Sequence, residues 1–153
     1  MDKTRKPAVI ILVDTREQAP LYFGGAETRL ATLATGDYSI AVGDRDLSDI
    51  IAIERKSMGD LFGTVGAGRE RFERELERSR TLRYFGIVIE ATMPEILAGA
   101  RFSRISPKAV VGSLLSWSVK FGAHVFFTGD RRAAAATTRK LLTKAAEYFV
   151  DGE

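Results

Sequence analysis

The 153 residues contain no cysteine and one histidine, His124. These two shortages exclude disulfides, zinc-thiolate centres, thiol nucleophiles and multi-histidine metal sites, and the lack of cysteine suits a reducing compartment. There is no apolar run near the ~20 residues a membrane helix needs. Met1-Asp2-Lys3-Thr4-Arg5-Lys6 leads only into a short apolar stretch that ends at Asp14. Charge of one sign is also lacking. With 23 Lys and Arg against 20 Asp and Glu the net charge is +3, so any affinity for a polyanion must come from local patches. A hydrophobic content of 45% over this length fits one compact domain in a soluble intracellular protein. Carboxylates, lysine and arginine need neither cysteine nor histidine to carry chemistry.

Hydrophobic patterning orders these groups along the chain. Ala8 to Val13 is short, β-branched and continuous, as in a strand buried on both faces, and delivers Asp14 at its C-terminal end. Residues 15–27, with Pro20, Gly24 and Gly25, form a loop. Thr28–Leu33, Tyr38–Val42 and Asp49–Glu54 read as strands of an antiparallel meander, with a turn at Gly36-Asp37 and a charged turn over Gly43–Asp46. A helix is expected from Ser57. A second, from about Gly68 to Arg83, has Phe72 and Leu76 as its thin apolar face. Phe85–Glu90 returns to a buried strand, Ser106-Pro107 opens a helix that Gly122 stops, and Val125–Phe127 is a short strand. Asp130 caps a last helix reaching about Val150. Strands alternating with helices predict an α/β domain with a central mixed sheet.

Alternate side chains of a strand share a face, so a strand running through Glu54-Arg55-Lys56 puts Glu54 and Lys56 together and Arg55 opposite. Phosphodiester hydrolysis needs a hard cation, and Mg²⁺ is held by a few carboxylate oxygens, with water completing its shell. Glu54 and Asp37 can supply such oxygens, and Lys56 can position or deprotonate the attacking water. An E-x-K pair is also common as a solvated surface ion pair. Ser57-Met58-Gly59-Asp60 equally fits a helix capping box, in which Ser57 and Asp60 satisfy free N–H groups.

Taken in order, these segments resemble the nuclease domain of the XPF/Mus81/Hef family, marked by G-D, a spacer and E-R-K-x-x-x-D. Here the signature stands as Gly36-Asp37 and Glu54-Arg55-Lys56-Ser57-Met58-Gly59-Asp60. Asp14-Thr15-Arg16-Glu17 is similar to the family's opening D-x-R-E, and Gly68 to Phe72 to its arginine-led helix. Ile87 to Glu90 and Ala109 to Thr128 are similar to its later strand and helix, so the resemblance spans roughly residues 8–149. It implies a restriction-endonuclease-like core and Mg²⁺- or Mn²⁺-dependent DNA hydrolysis on flaps, forks or nicked junctions, in repair, recombination or replication, leaving a 5′-phosphate. It also implies homo- or heterodimerisation through the nuclease domain.

Carried over by position, the resemblance makes Asp37, Glu54 and the Arg55 backbone carbonyl metal ligands and Lys56 the catalytic lysine. Asp14, Glu17 and Asp60 line the same catalytic site, and Arg16, Arg55 and Arg69 hold the site or the phosphate. The helix-hairpin-helix module that family members commonly append is not expected in residues 1–153, which read as one nuclease domain. Localisation would be cytoplasmic or nucleoid-associated in a bacterial or viral setting. The competing readings are a non-catalytic pseudonuclease that binds DNA or a catalytic partner, and a restriction-like nuclease acting on unbranched DNA.

The remaining motifs favour structure over chemistry. The arginines of the 68–83 helix interleave with Glu70, Glu73, Glu75 and Glu77 at intrahelical pairing distance, which favours a solvated face. Gly63, Gly66 and Gly68 suggest a loop beside the site, but no G-K-[ST] follows, so no nucleotide cofactor is expected. Trp117 and Phe121 belong in a core unless exposed, when they would mark an interface. His124 is expected to be structural, and Arg131, Arg132, Arg139, Lys140 and Lys144 make the last helix locally basic.

Overall fold

The computed structural model describes residues 7–150, so the Met1 to Lys6 lead lies outside the described residues. The strands are β1 (Val9–Asp14), β2 (Thr28–Ala31), β3 (Tyr38–Val42), β4 (Arg45–Asp46), β5 (Ile51–Lys56), β6 (Tyr84–Ile89) and β7 (His124–Phe127). The helices are α1 (Met58–Val65), α2 (Arg69–Ser79), α3 (Met93–Ala98), α4 (Pro107–Phe121) and α5 (Arg131–Phe149). The seven strands form one mixed sheet in the order β2-β1-β3-β5-β6-β7, with β4 pairing β3. Only β3 runs against the others, since it is antiparallel to β1, β4 and β5, whereas the β1–β2, β5–β6 and β6–β7 pairs are parallel.

The expected meander is half formed. β3 and β5 are antiparallel neighbours, but β2 pairs in parallel with β1 at the sheet edge and does not touch β3 as a hairpin strand. Its burial explains the difference: Thr28, Arg29 and Leu30 are exposed, as befits an edge strand with little inward patterning. The Gly43–Asp46 turn contains the two-residue strand β4. Helix α3 was unexpected, although Thr92-Met93-Pro94-Glu95 is a full capping box with an early proline, whose Thr92 hydroxyl accepts from the Glu95 N–H. The first glycine of the supposed 63–68 loop lies inside α1, which continues to Val65.

Two cores sandwich the sheet. α5 covers one face with Ala134, Ala135, Leu142, Ala145 and Ala146, small residues that let it lie close to Ile11, Ile40 and Ile53. On the other face Leu61, Phe62, Phe72, Leu76, Val110, Leu114 and Trp117 from α1, α2 and α4 pack on Ile87 and Ile89. Burying one such large apolar side chain contributes about 1.5–3 kcal/mol. Trp117 is 1% exposed, which settles its place in the core, and its indole N–H donates to Glu73 at 2.9 Å. No helix among the described residues is long and apolar enough to cross a membrane.

Because β1, β5 and β6 run the same way, their C-terminal ends, at Asp14, Glu54-Arg55-Lys56 and Ile89-Glu90, come to one end of the sheet. β3 runs oppositely and contributes its start, Asp37-Tyr38, there as well. Carboxyl ends of parallel strands are where open α/β sheets place their sites.

Candidate active site

A cleft of about 880 Å³ opens at that end, lined among others by Asp14, Arg16, Glu17, Asp37, Glu54, Arg55, Lys56, Asp60 and Glu75. A smaller hollow of about 390 Å³ at the opposite end of the sheet is lined by Arg80, Arg83, Lys120 and Phe121 and has no carboxylate.

The Gly36-Asp37 turn is built against β5. The Asp37 N–H donates to the Ile53 carbonyl at 2.8 Å, and the Arg55 N–H donates to Asp37 Oδ2 at 2.8 Å. Gly36 has φ of +80°, and a Cβ there would lie 2.8 Å from the Ala52 Cβ and 3.1 Å from the Ile53 carbonyl oxygen. Glycine is therefore required for the turn to approach the strand and bring Asp37 beside Glu54. On β5 itself Glu54 and Lys56 share a face, with Lys56 Nζ 3.2 Å from Glu54 Oε2, and Lys56 sits 4.8 Å over the Phe72 ring.

Arg55 faces the other way, and its guanidinium is engaged inside the protein. It binds Glu17 at 2.8 Å and Glu90 at 3.3 Å with 9% of its side chain exposed. Tyr38 completes this set, donating its hydroxyl to Glu17 at 3.0 Å while accepting the Leu21 N–H at 2.8 Å. Glu90 also pairs with Arg131, whose guanidinium donates to the carbonyls of Ala19 and Pro20. The loop after β1 is thereby tied to the site.

Asp14 accepts the Leu33 N–H at 2.9 Å and the Arg16 Nε at 2.9 Å, so both its oxygens are committed to the loops around the cleft. Asp60 stands exposed in the first turn of α1, where its N–H donates to Ser57 Oγ at 3.2 Å. The half of the capping box that Ser57 supplies is formed, and Asp60 borders the cleft as well. Arg69 is not brought to the cleft. It turns to α4, donating to Ser113 at 2.7 Å, pairing with Glu73 at 3.5 Å and lying over Trp117. His124 stacks on Tyr84 with ring centroids 4.3 Å apart, away from the cleft.

Glu75 is a cleft residue that the sequence concealed. Its position in an Arg/Glu-rich helix predicts an intrahelical ion pair, yet its Oε1 accepts the Gly36 N–H at 3.1 Å and its carboxyl lies beside that of Glu54. The signal available beforehand was its place one residue before the buried Leu76, which puts it at the border of the packed face.

The electrostatics follow from this crowding. Burial pushes Asp37 up to about 7, with Glu17 and Glu75 adding to the effect and the Arg55 N–H opposing it. Burial also raises Glu54 well above the usual carboxylate range, reinforced by Asp37 and Glu75 and relieved in part by Lys56. For Glu17 and Asp14 burial acts the same way but is outweighed, by Arg55 for the first and by Arg16 and the Leu33 N–H for the second, and both lie below the usual range.

A hard divalent cation fits this donor set. Asp37 and Glu54 are oxygen donors whose repulsion, added to by Glu75, a cation would relieve. Among the described residues no group of three or more His, Cys, Asp or Glu side chains is arranged to hold a metal ion.

A mixed sheet between helical layers, with acids and a lysine gathered where parallel strands end, has the architecture of a restriction-endonuclease-like core. The ERCC4 domain model matches residues 13–141, and the chain belongs to the ERCC4 domain family, the XPF type of nuclease domain. The Methanocaldococcus jannaschii protein MJ1505, which bears the name of an ATP-dependent RNA helicase, is 31% identical over 147 residues, 95% of this chain and 16% of that protein. The 3′-flap repair endonuclease Xpf of Saccharolobus solfataricus is 29% identical over 117 residues, 74% of this chain and 45% of that protein. The chain thus spans less than half the length of these two relatives. XPF from Aeropyrum pernix superposes with a TM-score of 0.70 at 20% identity, covering 93% of this chain and 67% of that one. Its complex with DNA gives the same score over 66% of that chain.

Proposed function

We propose that this domain is a metal-dependent DNA endonuclease that hydrolyses phosphodiester bonds in branched DNA such as flaps, forks or nicked junctions. The observation that carries this reading is the meeting of Asp37, Glu54 and Lys56 in one cleft, with Glu54 and Lys56 3.2 Å apart. The preference for flaps and a place in repair draw on the name of the Saccharolobus relative, and DNA as the substrate on the DNA complex of the Aeropyrum neighbour.

Asp37, Glu54 and the Arg55 backbone carbonyl would hold Mg²⁺ or Mn²⁺. When bound, the cation neutralises charge on the phosphoryl oxygens and makes water a better nucleophile. Lys56 orients the attacking water or takes its proton, and its ammonium offsets charge that builds on the phosphorane oxygens. Arg55 keeps the turn and the strand in register: its N–H fixes Asp37 while its guanidinium fixes Glu17 and Glu90. Asp14 and Arg16 lock the loops that frame the entrance, and Arg16, 68% exposed, is the member of that pair able to meet a phosphate. Asp60 lies at the rim. Residues 8–149 act as one nuclease unit that dimerises with a copy of itself or a related chain, and the outer side of α4, with Leu115 and Val119 53% and 88% exposed, is the surface suited to this.

The test is cleavage of labelled flap, fork, single-stranded and duplex DNA with and without Mg²⁺ by the wild type, Asp37→Asn and Glu54→Gln. The expected result is Mg²⁺-dependent incision favouring branched substrates, with each substitution lowering the rate by about 100-fold or more. Incision that needs no metal or survives both substitutions would defeat the mechanism. Salt-sensitive DNA binding without cleavage would favour a pseudonuclease.

A further inference from the structure

Seven carboxylates and six cationic side chains line the cleft, which makes it a poor host for a polyanion unless some cations are held available. Four of the six are ion-paired: Arg16, which keeps an exposed side at the entrance, to Asp14, Arg55 to Glu17 and Glu90, Lys56 to Glu54, and Arg131 to Glu90. The other two are Arg71 and Arg78, both exposed and both on α2.

The geometry of α2 keeps them available. Phe72, Leu76 and Ser79 point into the core, and Arg69 lies against α4, as does Arg80 just past the helix end, through Ser113 and the Lys120 carbonyl. Arg71, Glu75 and Arg78 form the strip that faces the cleft. Spacings of four and three residues would normally pair Glu75 with both arginines. Glu75 is instead turned down onto the Gly36 N–H and Glu54. Neither arginine has an ion pair or side-chain hydrogen bond among the described residues. They stand seven residues apart, about 10 Å along the helix axis, close to the advance of three nucleotides on one DNA strand.

We propose that Arg71 and Arg78 are the phosphate-contacting pair of the cleft, gripping the backbone of one DNA strand on either side of Glu75. This rests on the nuclease reading above. It reassigns the role expected of Arg69 to two neighbours that the interleaved glutamates had made look like a solvated surface.

The experiment is the salt dependence of binding to a fluorescein-labelled flap DNA, followed by anisotropy in Ca²⁺. The proteins are the wild type, Arg71→Ala, Arg78→Ala, the double Ala variant, the double Lys variant and Arg69→Ala. Removing one arginine from a phosphate makes the slope of log K against log salt shallower by about 0.9. The double Ala variant is therefore expected to be shallower than the wild type by about 1.8 with an unchanged melting temperature, since neither side chain is packed. The double Lys variant should keep the slope, and Arg69→Ala should too. An unchanged slope in the double Ala variant, or an equal change in Arg69→Ala, would overturn the pair while leaving the nuclease reading intact. If the wild type itself shows no salt-sensitive binding, the function falls and the pair falls with it.

Discussion

Asp37 carries a cost that its neighbours do not remove. It is held by one N–H from Arg55 while Glu17 and Glu75 press on it, and its affinity for a proton rises accordingly, to about 7. The folded state therefore binds this proton more tightly than the unfolded chain. Its stabilising effect is complete below 3.8 and lost as pH rises through about 7. Glu54 acts in the same direction, whereas Asp14 and Glu17, both lowered, lose their contribution only in acid below the ordinary carboxylate range. Metal-free protein should accordingly melt at lower temperature as pH rises from 5 to 7.5, with at most about 1.4 kcal/mol per pH unit from each such group. Asp37→Asn should flatten that slope, and Mn²⁺ should reverse it, because the cation competes with the protons. Calorimetric melting at several pH values checks this, and a slope that Asp37→Asn leaves untouched would contradict the role given to Asp37.

The same scale shows what a sequence can display. Glu54, Lys56 and Asp37 were legible because strand alternation and the turn fix them locally. Glu75 was not, because its choice between an arginine one turn away and a backbone N–H 39 residues away is decided only when α2 packs on the sheet. Arg69 lies against α4 and Arg71 borders the cleft for the same reason: both have a helical setting, but only the packing of α4 determines which side of α2 is covered.

Among the elements, the Gly36-Asp37 turn is the one whose chemistry is most constrained. A β-carbon at Gly36 must both adopt φ of +80° and displace Ala52 or the Ile53 carbonyl. Gly36→Ala should destabilise the domain by roughly 3 kcal/mol, from the left-handed conformation plus the steric clash. That corresponds to a melting temperature lower by about 10 °C. Metal affinity should also fall, since Asp37 moves with the turn. Thermal melts and Mn²⁺ titration measure the two effects, and a loss below about 0.5 kcal/mol would mean that the turn is not held as described.

Strands β1, β3, β5 and β6 were legible as elements because each is a compact apolar run. Their order was less so. β2 has only exposed or half-buried positions, so nothing in its pattern says which neighbour it joins. The parallel β1–β2 pairing depends on the 15–27 loop, which is fastened by Tyr38 through the Leu21 N–H and by Arg131 through the Ala19 and Pro20 carbonyls.

At the level of the molecule, one reversed strand decides the site. With β3 alone running against the rest, the ends of β1, β5 and β6 and the start of β3 converge, and four short segments spread from Asp14 to Glu90 form a single cleft. α5 seals one face with small residues and α1, α2 and α4 the other, leaving this end of the sheet as the acid-lined opening. The fold survives at 20% identity to the Aeropyrum structure, as expected when a packed three-layer core tolerates substitution and the chemistry rests on few positions.

The central claim is that Asp37 and Glu54 hold the divalent cation beside Lys56. Anomalous diffraction from crystals soaked in Mn²⁺ tests it directly. The predicted result is a peak within coordination distance, about 2.0–2.3 Å, of carboxylate oxygens of both Asp37 and Glu54. Density at another cluster, or none in the cleft at a pH where both carboxylates are ionised, would contradict it.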